Sequence, residues 1–131
     1  MESIQIRPVG YIESPLQLLD DCPLQGNEGA PAAVVHVNTE YRDALKGVQV
    51  GDQLILLTWL HLGKRDVLQC YPRRDINAET IGVFANRSPD RPNPVGYHRI
   101  IVKEIIGNRA VRVEPLEALD GTPVLDMKPY F

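Results

Sequence analysis

The sequence predicts a mostly-β chain, a small closed or nearly closed β-barrel with long loops. Three observations carry this. Short runs of β-branched and apolar residues recur roughly every eight to fifteen residues, separated by Gly, Pro, Asn and Asp. No long stretch has the 3.6-residue periodicity of an amphipathic helix. Closing the sheet on itself leaves few exposed edges.

Taken in order, Ile4-Gln-Ile-Arg-Pro-Val-Gly-Tyr-Ile alternates and reads as a strand, bent or at an edge because of Pro8. Residues 13–31 are dense in turn signals, a long loop of the kind that often serves function. Ala32-Ala-Val-Val-His-Val-Asn is a strand. Asn38 or Thr39 caps a short helical turn over 40–45 that Gly47 ends. The most apolar run, 52–61, reads as a strand buried on both faces, with Trp59 anchoring the core and His61 where the strand emerges. Strands are also expected at 67–71 and 79–85. Residues 99–114 read as a β-hairpin turning near Gly107-Asn108.

At 131 residues the chain is read as one domain, 1–131, long enough to bury a core. No apolar run has the length of a membrane span, and the N-terminus shows no basic-then-apolar leader, so the expected compartment is the cytoplasm. Cys22 and Cys70 are far apart and read as free thiols. The net charge of −3 lacks the basic excess usual for a domain that binds nucleic acid unaided.

The stretch 81–98 holds two arginines, three prolines, two asparagines and two glycines in eighteen residues. Each proline fixes φ and lacks an N–H, and Ser88, Arg91 and Asn93 are pushed toward extended backbone by the prolines that follow them. The loop is therefore stiff before any ligand arrives. Presenting Arg87 and Arg91, it suits an anion or a planar charged group, since little entropy remains to be lost. A proline-rich connector with solvated arginines is the plainer alternative.

A second polar stretch near the C-terminus gathers Glu114, Glu117, Asp120, Asp126, Lys128 and Tyr130. Carboxylates there and arginines in the stiff loop make a complementary pair for a zwitterion; solvated turns are the alternative. There is no phosphate-loop motif, no Gly-rich dinucleotide fingerprint and no Cys or His cluster for a metal, so no metal is expected. No motif marks a base beside Ser88.

Gly82-Val-Phe-Ala-Asn-Arg-Ser-Pro-Asp-Arg-Pro-Asn-Pro-Val-Gly96 and Leu119-Asp-Gly-Thr-Pro-Val-Leu-Asp-Met-Lys-Pro-Tyr130 closely resemble the TsaA/YaeB-like (TrmO-type) family of S-adenosylmethionine-dependent tRNA methyltransferases. Val9-Gly-Tyr-Ile-Glu-Ser-Pro15 looks like that family's opening strand. The resemblance spans essentially the whole chain. It implies a small β-barrel, S-adenosyl-L-methionine as methyl donor, and a homodimer with the cofactor near the subunit interface. The implied acceptor is N6-threonylcarbamoyladenosine at position 37 of tRNA. A small-molecule acceptor, or a non-catalytic module that binds S-adenosylmethionine, are the alternatives.

Position by position, the resemblance implies cofactor contacts at Leu24, Gln25 and Gly26, at His61 and Leu62, at Arg87 and Tyr97, and at Glu114, Pro115, Leu116 and Glu117. Arg91 and Asn93 are the implied substrate contacts. Asp120, Lys128 and Tyr130 match positions near the reaction centre. The chain departs from the family pattern at Asp90, where an aromatic or His often follows Ser-Pro, and at Tyr97-His98, where a small apolar residue and Ser are usual.

Overall fold

The computed structural model describes residues 2–17 and 29–131. Eight strands are present among them: β1 Gly10–Glu13, β2 Ala33–Val37, β3 Gln53–Trp59, β4 Gln69–Cys70, β5 Ile81–Gly82, β6 Val95–Ile106, β7 Ala110–Glu114 and β8 Pro123–Pro129. Six form one sheet in the order β1-β2-β7-β6-β3-β8, with β8 returning to β1 so that the hydrogen bonding closes in a ring. Every neighbouring pair is antiparallel. The short strands β4 and β5 pair only with each other, in the excursion between β3 and β6.

Side chains alternate across a strand, so each strand sends every second residue into the ring. From β3 these are Leu54, Leu56 and Thr58, all buried; from β6 they include His98, Ile100 and Val102. Leu54, Leu56, Ile100 and Val102 meet Ile12, Val35, Val111, Val113 and Val124 in one apolar core, which Leu116 and Ala118 extend. The expected 99–114 hairpin is present, paired through Ile106↔Ala110, with Gly107 at φ 60 in the turn. β6 starts earlier than expected, at Val95.

Some expectations are corrected. β3 is not buried on both faces: Ile55, Leu57 and Trp59 point outward and are half-buried. Its apolar outer face, not double burial, produced the continuous run. Trp59 is therefore not a core anchor; the Arg65 guanidinium lies over its ring at 5.2 Å. The strand expected at 79–85 is two residues long, and Val83–Ala85 turns as a 3₁₀ helix. β1 is shorter than the alternating segment that announced it.

An antiparallel ring places alternate connections at opposite ends. The connections 14–32, 60–94 and 115–122 all lie at one end, hereafter the loop end. The connections 38–52 and 107–109 lie at the other.

Candidate functional site

The loop end is stitched together by short polar contacts. Residues 115–122 cross the mouth of the ring after the chain leaves β7 through a cis Glu114–Pro115 bond. Leu116 N–H donates to the Pro31 carbonyl at 3.0 Å, and Asp120 N–H donates to the Leu16 carbonyl at 2.8 Å. Asp120 Oδ1 accepts from Ser14 N–H at 2.9 Å. Residues 16 and 31 flank the segment that carries Leu24, Gln25 and Gly26, which lie outside the described residues. Both flanks are thus tied to the segment that carries Glu117.

The proline-rich loop is held from within by Arg91. Its Nη1 donates to the Asn86 and Ser88 carbonyls at 3.1 and 3.2 Å, and its Nη2 to the Val83 carbonyl. A planar fork with fixed donors suits three carbonyls of one curved loop. Asp90 Oδ1 accepts from Lys64 N–H at 2.8 Å, while Arg91 N–H donates to the Lys64 carbonyl at 2.8 Å. The loop and the 61–65 turn are in this way locked to each other. A Cβ on Gly63 would lie 2.4 Å from the Pro89 carbonyl oxygen, so the approach requires glycine. Arg65 completes the lock by donating to the Pro92 carbonyl and to Asn93 Oδ1, both at 2.8 Å.

Arg87 is the arginine left at the surface. Its guanidinium sits over the Tyr97 ring at 5.1 Å, on the outer side of β6. Such a pairing holds the cation in one place at little cost while leaving its N–H groups to a ligand. His61 and Leu62, both exposed, follow directly on β3 at the same end.

Behind Tyr97, on the inner side of β6, is a buried polar chain. Thr58 Oγ1 and His98 Nε2 are 2.8 Å apart, and His98 Nδ1 and Glu117 Oε1 are 2.6 Å apart. A carboxylate only accepts, so Nδ1 donates to Glu117; with the imidazole assigned as this Nδ1–H tautomer, Nε2 accepts from the Thr58 hydroxyl. The three residue types resemble a nucleophile–base–acid set. Thr58, however, has no exposed surface, so no substrate carbonyl reaches it. Gly96 makes room for the chain: a Cβ there would lie 2.3 Å from Thr58 Oγ1 and 2.7 Å from His98 Nε2.

The other residues singled out from the sequence are not all gathered here. Glu114 turns to the outer face and pairs with Lys103 at 3.6 Å. The Leu116 side chain is fully buried in the core, leaving only its backbone to a ligand. Pro115 is half-buried beside it. Asp120 is at the loop end, but Lys128 is not: it is exposed, pairs with Asp126 at 3.7 Å and lies opposite Ile55 on β3. From Pro123 to Lys128 the strand runs about 17 Å toward the far end. Tyr130 lies further along the same way, its ring under the Arg99 guanidinium at 3.8 Å. One copy of the chain does not bring Asp120 together with Lys128 and Tyr130.

Sequence reasoning missed Thr58 and His98 as members of this end, and missed the internal use of Arg91. Among the described residues no group of three or more His, Cys, Asp or Glu side chains can hold a metal ion. None of their helices is long and apolar enough to cross a membrane.

The fold and site define a closed antiparallel ring that offers, at one end, an arginine resting on a tyrosine ring and a carboxylate hydrogen-bonded to a histidine. Residues 11–131 match the model of the tRNA-methyltransferase O N-terminal domain. The chain belongs to that family. It is 41% identical to a probable S-adenosyl-L-methionine-binding protein of Methanothermobacter thermautotrophicus, over 98% of this chain and 90% of that protein. It is 36% identical to an S-adenosyl-L-methionine-binding protein of Archaeoglobus fulgidus, over 95% of this chain and 88% of that one. The crystal structure of TrmO from Pseudomonas aeruginosa superposes with a TM-score of 0.78 at 26% identity, covering 99% of this chain and 57% of that chain. The chain thus spans little more than half the length of that solved structure.

Proposed function

We propose that this chain binds S-adenosylmethionine at the loop end of the ring and transfers its methyl group to tRNA, at the N6 position of N6-threonylcarbamoyladenosine 37. The observation that carries the reading is the family match over 11–131. The local chemistry agrees with it. S-adenosylmethionine is a zwitterion with a nucleoside, and it supplies an electrophilic methyl on sulfur. On this reading Arg87, exposed beside Tyr97, receives the carboxylate as a charge-assisted contact. On the same reading Glu117, with one oxygen engaged by His98, accepts from ribose hydroxyls or the ammonium. No carboxylate is needed at the sulfonium itself, whose charge disperses during transfer; pairing there favours the ground state. The stiff loop contributes alignment, since the acceptor nitrogen must approach the methyl carbon in line with the breaking bond to sulfur.

The separation of Asp120 from Lys128 and Tyr130 bears on assembly. If the three serve one reaction centre, it is built from two copies, with Asp120 from one and Lys128 and Tyr130 from the other. We propose a homodimer of that form.

A second reading rests on the relatives. Two relatives matched over most of their own length are named for binding S-adenosyl-L-methionine, with no transfer in the name. On that reading the chain binds the cofactor without methylating RNA, or methylates a small acceptor. The deciding experiment incubates purified protein with methyl-labelled S-adenosylmethionine and total tRNA, beside calorimetric titration of the cofactor. Binding with transfer to tRNA supports the first reading; binding with no transfer supports the second. No binding at millimolar ligand sinks both.

A further inference from the structure

The buried chain Thr58–His98–Glu117 ends at the mouth of the ring on a carboxylate. We propose that His98 is a positioning residue for the cofactor site: it holds the Glu117 carboxylate by one oxygen so that the other accepts from a hydroxyl or ammonium of the bound ligand. This rests on the S-adenosylmethionine reading above.

The argument is one of graded exposure along a hydrogen-bonded chain. Thr58 has no exposed surface, His98 keeps 4% and the Glu117 side chain 14%. Exposure therefore rises along the chain and is greatest at Glu117. Glu117 Oε1 lies at 2.6 Å from His98 Nδ1, a charge-assisted contact at the short end of the usual range. His98 is in turn held at Nε2 by Thr58, on the strand opposite, where Thr58 pairs with Gly96. Both imidazole nitrogens are occupied, which fixes the ring and its tautomer. The fixed ring removes rotamer freedom from a glutamate that otherwise loses it on binding a ligand.

The link is also mechanical. Glu117 sits between Leu116 and Ala118, both buried in the core, and its segment ties to Leu16 and Pro31 on either side of the early loop. His98 belongs to β6, the strand that carries Tyr97 and, through it, Arg87. One residue thus couples the carboxylate side of the site to the arginine side.

The test compares His98→Ala, His98→Asn, Glu117→Gln and the His98→Ala/Glu117→Gln double variant by calorimetry with S-adenosylmethionine, with thermal unfolding recorded for each. Asn places its amide N–H close to where Nδ1 lies, so it restores the donor to Glu117 but not the contact to Thr58. We expect His98→Ala to weaken binding about tenfold and His98→Asn to stay within about threefold of the parent. In the Glu117→Gln background His98→Ala is expected to cost less than about twofold more, because its effect runs through the carboxylate. Nitrogen-15 spectra of His98 in the parent protein give a readout independent of variant folding: the Nδ1–H tautomer, with a shift on adding ligand. Lower unfolding temperature with unchanged affinity, additive losses in the double variant, or a His98 spectrum indifferent to ligand each overturn the positioning role while leaving the cofactor reading intact. Failure of the parent protein to bind S-adenosylmethionine overturns both.

Discussion

The Arg87 guanidinium rests over the Tyr97 ring, 5.1 Å from its centroid, and the two residues come from opposite ends of the stiff loop. Tyr97 is already in β6, so the arginine is referenced to the ring and not only to its own loop. Replacing Arg87 by Ala is expected to weaken S-adenosylmethionine binding more than tenfold, the loss of one charge-assisted contact of roughly 1.5–3 kcal/mol. Calorimetry checks it; an unchanged Kd places the arginine outside the site. Tyr97→Leu is expected to give a smaller loss, severalfold at most, since a cation–π contact at an exposed site is worth about 0.5–1 kcal/mol.

Arg91 is expected to behave differently from Arg87. Its donors are spent on the Val83, Asn86 and Ser88 carbonyls. Arg91→Ala is expected to lower the stability of the fold by about 1–3 kcal/mol. Arg91→Lys is expected to recover little, because an ammonium lacks the planar fork. Denaturant midpoints read this directly, and wild-type midpoints for both variants refute it.

Gly96→Ala tests the packing of the buried polar chain. The added methyl meets Thr58 Oγ1 and His98 Nε2 well inside contact distance, on a strand where neighbours are fixed by pairing. A loss of about 1–3 kcal/mol is expected from overpacking, larger than for Gly82→Ala. The Cβ of Gly82 comes no closer than 3.9 Å to its nearest neighbour, the Leu68 carbonyl oxygen. Equal thermal unfolding temperatures for the two variants contradict the account.

The proposed two-copy reaction centre has a simple signature. Asp120→Asn and Lys128→Ala are each expected to abolish methyl transfer. Mixing the two after denaturation and refolding yields mixed dimers in which one of two sites carries both native residues, so about a quarter of the parent activity returns. No recovery, with mixed dimers shown to form, rules out a shared centre.

How far the sequence reveals this depends on the range of the interaction. The 99–114 hairpin is legible because alternation and a Gly-Asn turn are local signals, while the start of β6 at Val95, inside the proline-rich stretch, is not. β8 is poorly legible, since Pro123 and Pro129 bound it and Asp126 and Lys128 interrupt its apolar residues. It is a strand because β1 and β3 flank it. Trp59 misleads because an apolar run does not reveal which face a cation will cover. Arg87 at the surface follows from its place in a stiff loop. Arg91 beside it has the same sequence context, and only the curvature of the loop turns it inward. The Thr58–His98–Glu117 chain joins residues separated by 40 and 19 positions. No short-range pattern announces a contact of that kind.

The ring has six strands, an even number, and every neighbouring pair is antiparallel. Parity therefore decides which connections face the site, whatever their lengths. Residues added between β1 and β2, β3 and β6, or β7 and β8 arrive at the loop end. Residues added between β2 and β3 or β6 and β7 arrive at the far rim. If the cofactor binds at the loop end as proposed, length changes in those three connections alter the site, and changes in the other two leave it and the core as they are.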